Sequence, residues 1–497
     1  MNTSSAPYDI SSTTSPRTGQ SSRLGTTLPL ISHTEPDAVV AYRAGVPVVA
    51  REFLADVARV AAALPACDHV LNVCSDRYRF TVGFAAGLVA GKVSLLPSTH
   101  TPEVIRQLAV FAPDVFCLTD DPGCEIELPR VRYPEGGGSQ AVNSRVAGSS
   151  QATAGERLAA DRLAWRIPAI DAGQLAAYVF TSGSTGTPLP YKKTWGRLLR
   201  CVHDGASRLG LLDGRSHTIV GTVPPQHMYG FESSVLLGLQ TGSAICAERP
   251  FYPADICGVL AAAPRPRALI STPVHLRALL AAEVSMPEVD LIVSATAPLS
   301  RDLAREVEAR FATRLLEIYG STETGQIATR RTAQTLEWQL WPGVSLSFKD
   351  EGQQAWAQGG HVEQPTPMCD VLELTAGDRF LLHGRMADLV NIAGKRSSLA
   401  YLNHQLNSIQ GVVDGTFFLP DESPVAATGV GVTRVVAFVV APGLDAAALN
   451  EELRRRIDPV FLPRPLLFVE RLPRNDTGKL PRDALLALAA QHLRPAS

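Results

Sequence analysis

Six consecutive residues, Thr181-Ser182-Gly183-Ser184-Thr185-Gly186, bring four hydroxyls and two glycines directly after the apolar run Ala177-Tyr178-Val179-Phe180. Glycine lets the chain turn tightly with its N–H groups facing inward, and hydroxyls add donors, so such a loop can wrap phosphate oxygens. The plainer reading of the same composition is a surface turn. The GxxxxGK[ST] spacing of kinase and GTPase phosphate loops does not occur, so a phosphate here would be held by a different loop. Lysine is scarce. Lys92, Lys192, Lys193, Lys349, Lys395 and Lys479 are the whole set in 497 residues, and each ammonium is weighed as a functional charge against a solvated one.

Four segments in a fixed order resemble the signatures of the adenylate-forming (AMP-binding) superfamily, which includes acyl- and aryl-CoA synthetases. Thr181 to Pro188 is similar to its phosphate loop. The resemblance implies that Thr181, Ser182, Gly183, Ser184 and Gly186 hold ATP and that Thr185 takes part in catalysis. Glu317-Ile318-Tyr319-Gly320-Ser321-Thr322-Glu323-Thr324-Gly325 resembles the second signature. It implies Tyr319 and Gly320 at the adenine, Thr322 at phosphate and carboxylate, and Glu323 as a ligand of Mg²⁺. An aromatic face stacks on a base and a hard carboxylate oxygen suits Mg²⁺, so these roles make chemical sense. Asp370 and Arg385 match in spacing the pair that grips the ribose hydroxyls. Asp378 is a rival, but Ala376-Gly377-Asp378-Arg379 reads as a hairpin turn, which favours Asp370. Pro473-Arg474-Asn475-Asp476-Thr477-Gly478-Lys479-Leu480 resembles the C-terminal lysine motif, implying Lys479 as the ammonium that meets the substrate carboxylate and the α-phosphate.

Pro225-Gln226-His227-Met228-Tyr229-Gly230-Phe231 is similar to the segment that lines the acid pocket. His227 stands at the closing position, and Tyr229 and Phe231 can pack on a flat ring; for Phe231 an aromatic core stripe is an equal reading. Ala393-Gly394-Lys395-Arg396 resembles the loop that swings in beside a pantetheine arm, where Gly394 would let the thiol carrier approach. The implied cofactors are ATP and Mg²⁺, with a small carboxylic acid as substrate and CoA or the phosphopantetheine of an acyl carrier protein as acceptor. A narrower likeness rests on TSGSTG-x-P-x-P, residues 72–78 and residues 394–399. It is to the stand-alone ligases of aryl-polyene and xanthomonadin-type pigment clusters, and it implies an aryl acid such as a hydroxybenzoate.

Two departures stand out. Pro188-Leu189-Pro190 replaces the family's usual Pro-Lys-Gly, leaving Lys192 or Lys193 as substitutes, and Ser294-Ala295-Thr296-Ala297-Pro298-Leu299 replaces a glycine-rich adenine segment. The alternatives to an aryl-acid ligase are a fatty-acid ligase and a catalytically silent nucleotide- or acyl-binding homologue.

These segments need a scaffold. From about Ser32 the chain alternates helical spacing (51–64, 77–90) with short strands (69–74, 93–96), the rhythm of an α/β layered fold. Residues 134–155 read as a surface loop, and a small α+β unit follows 384–396. The expected organisation is a tail over 1–27, which reads as disordered, a large N-terminal ATP- and acid-binding domain over 28–386, and a mobile C-terminal lid over 387–497. The resemblance sets the pivot at Ala387 or Asp388.

With 45% hydrophobic and 19% charged residues the composition is that of a globular protein, too long for one core. A net charge of −2 offers no reason to bind nucleic acid. The eight cysteines form no CxxC pair and the eleven histidines no metal spacing, which fits a reduced, cytoplasmic protein without structural zinc. The most apolar stretch, 80–97, is broken by Gly83, Gly87, Gly91 and Lys92 and falls short of a membrane span.

Overall fold

The computed structural model describes residues 26–97, 99–135, 166–182, 188–282, 284–349, 354–385, 389–392, 395–419, 434–475, 478 and 480–492. Residues 1–25 of the expected 1–27 tail, most of the 134–155 loop, the phosphate-loop residues Gly183, Ser184, Thr185 and Gly186, the pivot Ala387 and Asp388, Gly394 and Lys479 lie outside the described residues, while Thr27 opens a short strand, Thr27–Pro29, paired with Ala169–Asp171.

Apolar runs such as Ala268-Leu269-Ile270 and Leu291-Ile292-Val293 are covered on both faces, and strands of that kind build parallel sheets. Here they form the middle of an eleven-stranded sheet. Val39–Arg43, Ala244–Cys246, Thr218–Gly221, Arg267–Ser271, Leu291–Ser294 and Leu315–Ser321 run parallel side by side. Beyond Leu315–Ser321 the sheet continues antiparallel through Gly325–Arg330, Trp338–Leu340, Arg379–Arg385 and Asp370–Ala376. A six-stranded sheet is ordered Pro188–Thr194, Leu175–Ser182, Val93–Leu96, His69–Asn72, Phe116–Thr119, Arg130–Arg132. The Arg77–Val89 helix is buried on nearly every side, which its all-round apolar sequence requires. Its own Asp76 caps it, accepting from the Arg79 N–H at 3.0 Å.

Residues 389–492 carry a separate core around Leu402, Leu406, Phe417, Val439 and Leu453. A three-stranded sheet of Asp414–Phe418, Val436–Val440 and Leu466–Phe468 packs there with the Leu399–Asn407 and Ala446–Arg454 helices. The fold is therefore the expected α/β body with a small α+β C-terminal unit. No helix of the described residues is long and apolar enough to cross a membrane.

Parallel strands point the same way, so their carboxyl ends share one edge, and ligands of open α/β sheets bind outside that edge. Thr272, Ala295 and the turn after Ser321 all emerge there.

Candidate active site

The turn joining Leu315–Ser321 to Gly325–Arg330 carries Thr322 and Glu323. It is tied by its own hydroxyls: the Thr324 N–H donates to Ser321 Oγ at 3.2 Å, and Thr324 Oγ1 donates to the Gly325 carbonyl at 2.8 Å. Gly320 is obligatory, because a Cβ there would fall 2.3 Å from the Gly325 carbonyl oxygen. Glu323 is half-exposed at the tip of this turn. From below, Lys193 Nζ donates to the Glu323 carbonyl at 3.1 Å.

Tyr319 and Asp370 come together from 51 residues apart: the Tyr319 hydroxyl donates to Asp370 Oδ2 at 2.5 Å. The Tyr319 ring leans on Trp338 and Phe380, with centroids 5.4 and 5.7 Å away. Asp370 and Arg385 are direct partners across the 370–385 hairpin, the position expected of a pair acting on one ligand. Asp378 sits at the far turn of that hairpin, engaged by Arg208 and Gln339, so the structure separates it from Tyr319.

The strands on either side of the phosphate loop pair antiparallel, Ser182 with Pro188 and Thr181 with Leu189. Tyr191 lies on the second of these strands, and burial, then the charge of Glu323, push its phenol above the ordinary value. Of the two candidate lysines, Lys192 is exposed and Lys193 is buried. Burial depresses the Lys193 ammonium despite the opposing fields of Glu232, Cys201 and Glu323. Glu232, whose charge opposes this most, is itself buried and raised to about 7 by desolvation, with Lys193 acting the other way.

In the acid segment, His227 Nδ1 accepts from the Tyr229 N–H at 3.3 Å, which places the ring proton on Nε2. Tyr229 is buried and its hydroxyl donates to the Val293 carbonyl at 3.0 Å, so the side chain lies across the carboxyl ends of the parallel strands. Phe231 is different. It is fully buried, edge-on to Phe84 with centroids 4.8 Å apart, and is part of the core cluster. The 295–299 segment has Thr296 at φ 79°, a left-handed conformation that is rare for a β-branched residue. Such strain concentrates at functional sites.

The C-terminal unit reaches the same edge. Gly478, next to Lys479, is buried at φ 78°, and a Cβ on it would meet Val274 Cγ2 at 2.7 Å. The lysine motif is thus seated at the start of the Pro273–Ala281 helix, just past the end of Arg267–Ser271. Sequence reasoning missed Tyr191, Glu232, Arg474 and Asp414 as members of this neighbourhood. For Glu232 a signal existed, a lone carboxylate in the run Phe231 to Leu236.

Among the described residues no three His, Cys, Asp or Glu side chains converge on a metal position. The donor set fits Mg²⁺ nonetheless. That ion keeps waters and phosphate oxygens and needs only one or two protein carboxylates, which half-exposed Glu323 can supply.

The family model described as AMP-binding enzyme matches residues 32–372, and that of the AMP-binding enzyme C-terminal domain matches residues 424–479. A 4-coumarate–CoA ligase of Rhodobacter capsulatus is 31% identical over 303 residues, covering 60% of this chain and 73% of that protein. A 4-chlorobenzoate–CoA ligase of an Arthrobacter species is 26% identical over 362 residues, covering 64% of this chain and 66% of that protein. The ATP-bound MatB structure from Rhodopseudomonas palustris aligns with a TM-score of 0.74 at 19% identity, covering 93% of this chain and 97% of that one. At that identity the likeness shows the fold.

Proposed function

The chain belongs to the AMP-binding enzyme family, and on that premise we propose that it is an AMP-forming ligase joining an aryl carboxylic acid to the thiol of CoA or of a carrier protein. In the first half-reaction the acid's carboxylate oxygen attacks the α-phosphate of ATP, forming the acyl-adenylate and releasing pyrophosphate. In the second a thiol attacks the acyl carbon and AMP leaves.

One observation supports the reading above others: Tyr319 is bonded to Asp370 from 51 residues away, next to the turn that carries Glu323, and Gly478 of the small unit meets Val274 just past the end of a neighbouring strand of the same sheet. Asp370 and Arg385 would grip the ribose, Tyr319 would meet the adenine, and Thr181 to Gly186 would surround the phosphates. Mg²⁺ held by Glu323 would supply positive charge to the triphosphate. Lys479 would neutralise charge as carboxylate and α-phosphate approach, catalysis by positioning and preorganised charge. His227 would close the acid pocket, Tyr229 would wall it, and Gly394 would admit the thiol. The aryl assignment is supported by Tyr229, by the likeness to pigment-cluster ligases, and by relatives named for 4-coumarate and 4-chlorobenzoate.

The test is acid-dependent exchange of pyrophosphate into ATP across 4-hydroxybenzoate, 4-coumarate, 4-chlorobenzoate and saturated fatty acids. Exchange should be strongest with an aryl acid. Preference for the fatty acids overturns the aryl assignment, and no exchange with any acid favours the silent homologue.

A further inference from the structure

The loop that carries Lys479 is short and polar, yet it must present an ammonium to within hydrogen-bond reach of two reacting groups. Something has to hold it. Arg474 does so with three of its N–H groups. Nε and Nη2 each donate to the Asp414 carboxylate at 2.7 Å, a bidentate pair, and Nη1 donates to the Gly478 carbonyl at 2.7 Å. That carbonyl belongs to the peptide group whose nitrogen is that of Lys479. The turn closes on itself as well, the Gly478 N–H donating to the Asn475 carbonyl at 2.8 Å.

Asp414 opens a strand of the small unit's central sheet, so the fork is anchored in a rigid element. On the large body the loop meets Val274, and Gly478 leaves no room for a side chain there. Arg277, half-buried on the same helix, stands in the fields of both partners: desolvation lowers its pKa, Asp414 opposes this, and Arg474 adds to it in smaller measure.

We infer that Arg474, clamped by Asp414, is a positioning residue for adenylate formation: it fixes the carbonyl of Gly478, the residue before Lys479, where Gly478 meets the large domain. This rests on the ligase reading and deepens it. A guanidinium fork is planar and rigid, so it holds a carboxylate and a carbonyl at fixed angles where a lysine would hold one at a time. The clamp lies wholly within the small unit, so it travels with that unit and matters to chemistry only while Lys479 faces the substrate.

The experiment separates the half-reactions, with 4-hydroxybenzoate as the acid, synthetic 4-hydroxybenzoyl-adenylate as the supplied intermediate, and CoA as the thiol. Arg474→Met should slow adenylate formation by about 100-fold, the scale expected for misplacing a catalytic group by about 1 Å. Thioester formation from the supplied adenylate should stay within about twofold of the parent. Arg474→Lys should recover part of the loss, and Asp414→Asn and Arg277→Met should act in the same direction with smaller effect. Retained thioester formation also shows that each variant is folded. Equal losses in both half-reactions, or full adenylation by Arg474→Met, overturn the inference while leaving the ligase reading in place. A parent that neither makes nor consumes the adenylate overturns both.

Discussion

At the scale of single residues, one bond does much of the organising. The Tyr319 hydroxyl donates to Asp370 at 2.5 Å, a distance typical of O–H donation to a carboxylate, and so fixes the two side chains relative to each other. Beneath the neighbouring turn lies a residue under strain of another kind. His361 is buried, its pKa driven down to about 4 by desolvation and by Lys193, Arg200 and Arg197. Its folded pKa lies below the ordinary 6.5, so the unfolded chain takes up a proton that the native protein refuses. Stability from this residue is intact above pH 6.5 and falls as pH drops toward 4. Between pH 7.5 and pH 5 the parent should lose about 2 kcal/mol that His361→Gln does not lose. Urea unfolding of both proteins at the two pH values measures this, and equal losses would contradict the assignment.

Strand geometry decides the fate of the two candidate lysines at the scale of elements. Side chains alternate across a strand, so of Lys192 and Lys193 one had to face out and the other in. Lys193 faces in, spending its ammonium on the Glu323 carbonyl and on the field of Glu232. It thereby ties the backbone of the turn that carries Glu323. Burying a charge alone is costly, and removing one member of a buried pair strands the other. Lys193→Met or Glu232→Gln singly should each destabilise the fold, whereas the double variant should cost clearly less than their sum. A double-mutant cycle by denaturant unfolding gives the coupling, and strict additivity would show that the two charges do not interact. The alternation was legible in Tyr191-Lys192-Lys193-Thr194; the partner, 39 residues further on in a helical segment, was not.

For the whole molecule, the arrangement of two bodies around one sheet edge implies a division of labour. Gly478, the residue before Lys479, meets Val274 of the large body. Lys479→Ala should reduce acid-dependent adenylate formation by orders of magnitude while largely sparing thioester formation from supplied acyl-adenylate. Gly394→Trp should do the reverse, blocking the thiol and sparing adenylation. Rapid-quench assays of each half-reaction decide the matter, and two variants that impair both steps alike would exclude a two-conformation cycle.

The sequence by itself determined the motifs, their order and the fold class, because each rests on local chemistry. Glycine-rich turns, apolar runs and period-two strands are written in neighbouring residues, and even the choice of Asp370 over Asp378 followed from a local hairpin. Only the tertiary structure decided what those residues face. Phe231 reads as a pocket wall or a core ring until Phe84 arrives from another helix and occupies its edge. Arg474 reads as one more polar residue in a C-terminal turn until Asp414, 60 positions earlier, closes on it. Burial, charge pairing and the edge shared by parallel strands are properties of packing between distant segments, and no local pattern encodes them.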